Sequence, residues 1–130
     1  MEHELNVLTA QAMAVVRQAL PSFELRTWSV HRVSELNPRL RGNPEWDWPV
    51  LIMRFTVGDQ GFDASTTLEE FGQWPEIVEA ALEAVQEAVQ HDRSLGLPSN
   101  WPECPLHPGT HPMEPFADGE TITWGCPNRR

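Results

Sequence analysis

From position 98 onward the chain cannot be helical for long, because Pro98, Pro102, Pro105, Pro108, Pro112, Pro115 and Pro127 interrupt it. Each proline fixes its own φ and removes a backbone donor, and each biases the preceding residue towards extended conformations. No helical periodicity survives in 98–130. One short strand, Glu120 to Trp124, is expected after the turn signal Asp118-Gly119. The remainder must be turns, and such a stretch has few apolar side chains with which to offset its ordering entropy. Trp101, Phe116, Ile122 and Trp124 are its main contributors.

The first 97 residues read differently. At 5–20, Leu5, Leu8, Ala12, Val15, Val16, Ala19 and Leu20 recur at helical spacing, opposite Gln11, Arg17 and Gln18, and Pro21 stops the helix. From Phe23 to Val33 the alternation slips phase: Phe23 and Leu25 share one face, Trp28 and Val30 the next. A β-bulge near Thr27, or a strand covered on both sides, accounts for the slip. The turn-rich segment 37–49 leads to a strand over 50–57, with Leu51, Met53, Phe55 and Val57 facing one way. Gly58-Asp59-Gln60-Gly61 is a hairpin turn by composition, returning through 62–65. Thr66 with Glu69, and Thr67 with Glu70, match the capping-box spacing and predict a helical turn over Leu68 to Phe71. The strongest element is a helix over 75–93, with Pro75 suited to its first turn. Ile77, Val78, Ala81, Leu82, Val85, Ala88 and Val89 form its apolar stripe, and Gly96 and Pro98 mark its end.

The expected fold class is therefore α+β: an α-β-β-β-α core over 1–97 with a three-stranded antiparallel sheet, then a proline-rich tail over 98–130. Double-stranded-RNA-binding domains share this order of elements. Charge argues against their function, since the 130-residue chain carries 19 acidic residues against nine arginines, no lysine, and a net charge of −10. Binding to phosphates needs cations, and Arg39 with Arg41, or Arg129 with Arg130, make no basic footprint. No nucleic-acid partner is expected. An acidic surface suits solubility or a basic protein partner. No apolar run is long enough to span a bilayer, and the acidic start MEHEL does not resemble a signal peptide, so neither a membrane nor secretion is expected. Cytoplasmic residence is the default, where cysteines serve as ligands or free thiols more readily than as disulfides.

Both cysteines and two histidines fall in the tail. Cys104 and His107 are close enough to converge from one tight loop, His111 follows, and Cys126 returns after the Ile122 strand. Two thiolates and two imidazoles make a complete tetrahedral set for Zn2+, and a segment short of core is the kind that needs a metal staple. Pro105, Pro108, Pro112 and Pro127 follow the four residues directly and lower the entropy they lose on ordering. Two other readings stay open on these residues: a Cys104–Cys126 disulfide or idle thiols, and a catalytic zinc with an open position. The last is disfavoured because four protein ligands leave no place for water, and no H-E-x-x-H or deaminase signature accompanies them.

The run Trp101-Pro102-Glu103-Cys104-Pro105-Leu106-His107, then His111-Pro112-Met113-Glu114-Pro115, then Trp124-Gly125-Cys126-Pro127, resembles the C-terminal tail of small acidic proteins from actinobacteria and similar GC-rich bacteria. The resemblance covers about the last quarter of the chain. It implies a metal-binding tail and carries over nothing about activity.

Elsewhere the chemistry is sparse. Glu79, Glu83 and Glu87 read as a solvated helix face or as a docking stripe for a basic partner. Of Trp46 and Trp48, one is expected in the core and the other is a candidate partner anchor. Asp59 and Asp63 lack the ligand density of a calcium loop. His31 has no serine, cysteine or acid tied to it by a readable motif. The function expected is thus a non-catalytic protein-interaction module with a structural zinc tail. The rivals are an acidic inhibitor or immunity protein covering a basic or nucleic-acid-binding partner, and a metal-dependent enzyme.

Overall fold

A computed structural model describes residues 2–42, 47–69, 73–118 and 121–127. Its elements run α1 (Glu2–Ala19), β1 (Glu24–Arg32), α2 (Val33–Leu36), β2 (Pro49–Val57), β3 (Gln60–Thr67), α3 (Trp74–His91), β4 (Glu114–Asp118) and β5 (Thr121–Gly125). The class is α+β, with an antiparallel sheet of order β1-β2-β3 and a separate β4-β5 hairpin.

The apolar periodicities explain the core. On β2 the alternate residues Leu51, Met53 and Phe55 are buried, joined by Leu25 of β1 and by Phe62 and Ala64 of β3. Against them pack Leu5, Ala12, Met13 and Val16 of α1, and the α3 stripe from Ile77 to Val89. The two long helices contact one another, α1 reaching β1 and α3 reaching β3. Two polar side chains are buried among them. Thr9 donates its hydroxyl to the Leu5 carbonyl at 2.7 Å, one turn back. Gln86, on the apolar stripe of α3, is 9% exposed and is committed to the tail.

The phase slip on the first strand is a bulge: the register shifts between Leu25 and Thr27, so Arg26 is the extra residue. The β2-β3 hairpin closes through Gly58-Asp59, tighter than the four-residue turn expected, because Gly58 adopts φ 59° and Gln60 already pairs with Val57. A glycine at the first central position is what a two-residue hairpin of this kind needs.

Two expectations need correction. Thr66 and Thr67 are strand residues opposite Leu51 and Val50, so the Thr66–Glu69 capping box does not form. β-Branched side chains on a pleated surface favour continued pairing over a cap. Leu68 and Glu69 are not helical, and 70–72, with Glu70 and Phe71, lie outside the described residues. The segment 37–49 is turn-rich where described, with a 3-10 turn over Pro38–Leu40 capped by the Asn37 side chain at 3.2 Å, and α2 lies just before it. The tail holds a hairpin where one strand was expected, since β4 pairs with β5 from Glu114↔Gly125 to Asp118↔Thr121. Gly119, Glu120, Trp46, Arg129 and Arg130 lie outside the described residues. Among the described residues, no helix is long and apolar enough to cross a membrane.

The tail is pinned to the core by aromatic and amide contacts. Trp101 stacks on Phe23 with ring centroids 5.1 Å apart and meets Trp124 edge-on at 5.7 Å. Gln86 and Gln90 of α3 donate to the carbonyls of Met113 and Trp101 at 2.6 and 2.9 Å. Trp101, Ile122 and Trp124 pack on the main core cluster.

Candidate metal centre

Two consecutive turns set the first three side chains. In Cys104-Pro105-Leu106-His107 the His107 amide donates to the Cys104 carbonyl at 3.2 Å. In His107-Pro108-Gly109-Thr110 the Thr110 amide donates to the His107 carbonyl at 3.2 Å, and Gly109 has φ 74°. Proline at the second position of both turns, and glycine with positive φ at the third of the latter, are the residues these turns demand. The Glu103 carboxylate accepts the Gly109 amide at 2.8 Å, and the Thr110 hydroxyl donates to the His107 carbonyl at 2.6 Å. The chain then reverses beside itself. Cys104 N–H donates to the His111 carbonyl at 3.3 Å, Met113 N–H donates to the Pro102 carbonyl at 2.6 Å, and Glu103 bridges to Pro112. β5 runs back along β4 and delivers Cys126 one residue past the Glu114↔Gly125 pair.

These paths bring the four side chains together. The ligand atoms of Cys104, His107, His111 and Cys126 all lie within 4.8 Å of one another, and such a group can hold a metal ion. The Nδ1 of His107 is 3.7 Å from Cys104 Sγ and 3.5 Å from Cys126 Sγ, and the Nε2 of His111 is 3.8 Å from Cys126 Sγ. The two nitrogens are 3.1 Å apart. A tetrahedral ion with Zn–S of about 2.3 Å and Zn–N of about 2.0–2.1 Å spaces sulfur and nitrogen about 3.6 Å apart, and two nitrogens about 3.3 Å apart. The observed edges lie within a few tenths of an ångström of those lengths.

The surroundings suit a metal as well. His111 places Nδ1 3.0 Å from the Pro112 carbonyl. A carbonyl only accepts, so Nδ1 carries the proton and Nε2 presents its lone pair to the cluster, the tautomer a ligand needs. Both sulfurs are shielded, Cys104 being 0% and Cys126 8% exposed, while His107 is exposed and His111 half-buried. Neither cysteine is in a disulfide. Among the described residues this is the one convergent group of His, Cys, Asp or Glu ligands.

The other candidate residues are placed elsewhere. His31 has partners its sequence context does not reveal: Ser29 Oγ lies 2.8 Å from Nε2, and Glu35 Oε2 lies 3.4 Å from Nδ1. Glu35 also accepts the Arg32 amide at 3.2 Å, so the network ties α2 to the end of β1. Period two on the strand and one helical turn beyond it are the signal that pairs these residues. Asp63 is held by Arg54 at 2.9 and 3.3 Å, directly across β2-β3, so it is not half of an Asp59–Asp63 cation site. That guanidinium keeps the Asp63 carboxyl below the usual range. Glu79, Glu83, Glu69 and Glu76 line a groove of about 540 Å³ with Trp48, Leu68, Ile77 and Ala80. Glu87 lies outside it, on the side of α3 that faces β3. Burial, then the charges of Glu79 and Glu114, push the Glu83 carboxyl up. Trp48 is 36% exposed on that groove. Sequence reasoning missed the pocket beside the sulfurs, lined by Leu106, Met113, Phe116 and Trp124. Its walls come from three separate parts of the tail.

No protein-family model, no curated protein and no solved structure matches this chain.

Proposed function

We propose that the tail holds one structural Zn2+ ion on Cys104, His107, His111 and Cys126, and that the domain is a non-catalytic protein-interaction module. The observation that carries the metal reading is the set of inter-ligand distances of 3.1, 3.5, 3.7 and 3.8 Å, which match tetrahedral edges. Two thiolates with two imidazoles favour zinc over hard cations, and four protein ligands leave no coordination position for a reacting water. Bound zinc contributes on the order of 10 kcal/mol to ordering a small module. The resemblance to tails of small acidic actinobacterial proteins supports the same reading. A cytoplasmic setting would keep both thiols reduced and available.

Metal analysis of protein purified without chelator tests it. One zinc per chain is expected, with loss of metal in both Cys104→Ser and Cys126→Ser. Zinc-free protein that refuses added Zn2+ would refute it.

A second reading, an acidic inhibitor covering a basic partner, is favoured by one observation. Glu69, Glu76, Glu79 and Glu83 gather on a single groove beside Trp48. Titration with an arginine-rich peptide tests it: a salt-sensitive affinity weakened by Glu79→Gln and Glu76→Gln supports that role, and no measurable binding removes it.

A further inference from the structure

The two sulfurs differ in their surroundings from the two imidazoles. Cys104 and Cys126 both line a pocket of about 480 Å³ whose other walls are Pro105, Leu106, Met113, Phe116, Trp124 and Gly125. His107 and His111 are not among those walls. The cluster thus presents its sulfurs to an apolar recess and its nitrogens elsewhere. The recess is large enough for a small uncharged molecule, which meets the cluster from the Cys126 side without displacing a ligand. Within it the sulfurs are unequal, Cys126 being 8% exposed and Cys104 fully buried. They are also within 4.8 Å of each other, and neither is already bonded.

Resting on the zinc reading above, we propose that the centre is a hydroperoxide-responsive switch in which Cys126 is the sulfur attacked, Cys104 resolves it, and metal leaves as the disulfide forms. Metal-bound cysteine is deprotonated, and the thiolate is the form that hydroperoxides oxidise. In the first step Cys126 sulfur takes one oxygen from hydrogen peroxide, becoming a sulfenic acid, and hydroxide is released. In the second, Cys104 thiolate attacks that sulfur, the new S–S bond forms, and the sulfenic oxygen leaves as a second hydroxide. Peroxide is reduced by two electrons, the sulfur pair is oxidised by two, and two hydroxides balance the departing Zn2+. The imidazoles alone hold the ion far more weakly than the full set. Because the disulfide would close 104 to 126, the tail exchanges one cross-link for another.

The test treats the zinc-loaded full chain with hydrogen peroxide in the presence of a chromogenic chelator, and reads intact mass alongside. The proposal expects one equivalent of zinc released per chain, a mass lower by two hydrogens, and recovery of zinc binding after dithiothreitol and added Zn2+. Met113→Leu, which removes the third sulfur of the recess, should release zinc to the same extent. In the zinc-loaded native chain, a sulfenic-acid trap present during a brief peroxide exposure should label Cys126 at least tenfold faster than Cys104. Zinc retained under peroxide, oxidation to sulfinic or sulfonic acid without a disulfide, or faster labelling of Cys104 would overturn it and leave the zinc reading intact. A chain that takes up no zinc before peroxide is added ends both.

Discussion

The indole of Trp124 donates its Nε1 proton to the carbonyl of Ala19 at 3.1 Å, joining residues 105 positions apart. Ala19 is the last residue of α1, where helix carbonyls run out of intrahelical partners. A tail side chain therefore completes the end of the first helix, two residues before a candidate metal ligand. Trp124→Phe keeps most of the apolar contact and deletes this bond. The expected loss is about 1–2 kcal/mol of unfolding free energy, since the Ala19 carbonyl is left half-buried without its donor. Equilibrium urea unfolding measures it.

Removal of the metal should be felt unevenly. On the zinc reading, the turns at 104–110 and the last residues of β5 would depend on the common ion, whereas α1 and α3 rest on their own apolar stripes. Chelation is expected to raise hydrogen-exchange rates by an order of magnitude or more across 101–113 and 122–127. Amides of α3 from Ile77 to Val85 should change little. Uniform deprotection of both regions would contradict this division.

Glu83 offers a pH signature. Its carboxyl is pushed up by burial and by Glu79 and Glu114, so the folded protein binds a proton there more readily than the unfolded chain does. Such a group favours the fold more as pH falls through its raised value, and disfavours it once ionised. Glu83→Gln should therefore raise the melting temperature at pH 7, with the gain shrinking towards the acid range. Asp63 has the opposite sign: its lowered value, set by Arg54, makes its contribution present at neutral pH and lost on acidification. Asp63→Asn should cost little, and less still at high salt, because the pair is exposed. Melting curves at several pH values check both.

Gly125 has no room for a side chain. A Cβ there would meet the Phe116 ring at 3.0 and 3.1 Å, across the β4-β5 pair. Gly125→Ala is expected to shift that ring and to cost about 1–3 kcal/mol. As Cys126 is the next residue, zinc affinity should fall as well. A competition titration against a chromogenic chelator reads the second effect, and thermal unfolding the first.

What was legible in the chain follows from how local its causes are. The α3 stripe and the Leu51-Met53-Phe55 alternation are repeats within one element, and both read correctly from spacing alone. Even the bulge at Arg26 left a trace, as a slip in phase between Leu25 and Trp28. β4 left none: Pro115 and the flanking Glu114 and Asp118 hide a strand whose definition lies wholly in its partner β5. The four candidate ligands could be named because thiols and imidazoles declare their chemistry by type. The turns that aim them were also written locally, as Pro105, Pro108 and Gly109. The contacts that seat the tail were not. The Phe23–Trp101 stack and the Gln86 and Gln90 amides join distant positions, and only a polar residue on an apolar stripe hinted at them.

The seating of Trp101 and Trp124 carries a thermodynamic obligation. If filling the tail with an ion tightens the grip of those two indoles on Phe23 and Ala19, then loosening that grip must weaken the ion's hold by the same factor. A substitution such as Phe23→Leu, far along the chain from any sulfur or imidazole, would thereby register as a change in metal affinity. The interior of the fold and the chemistry of its last quarter would rise and fall together.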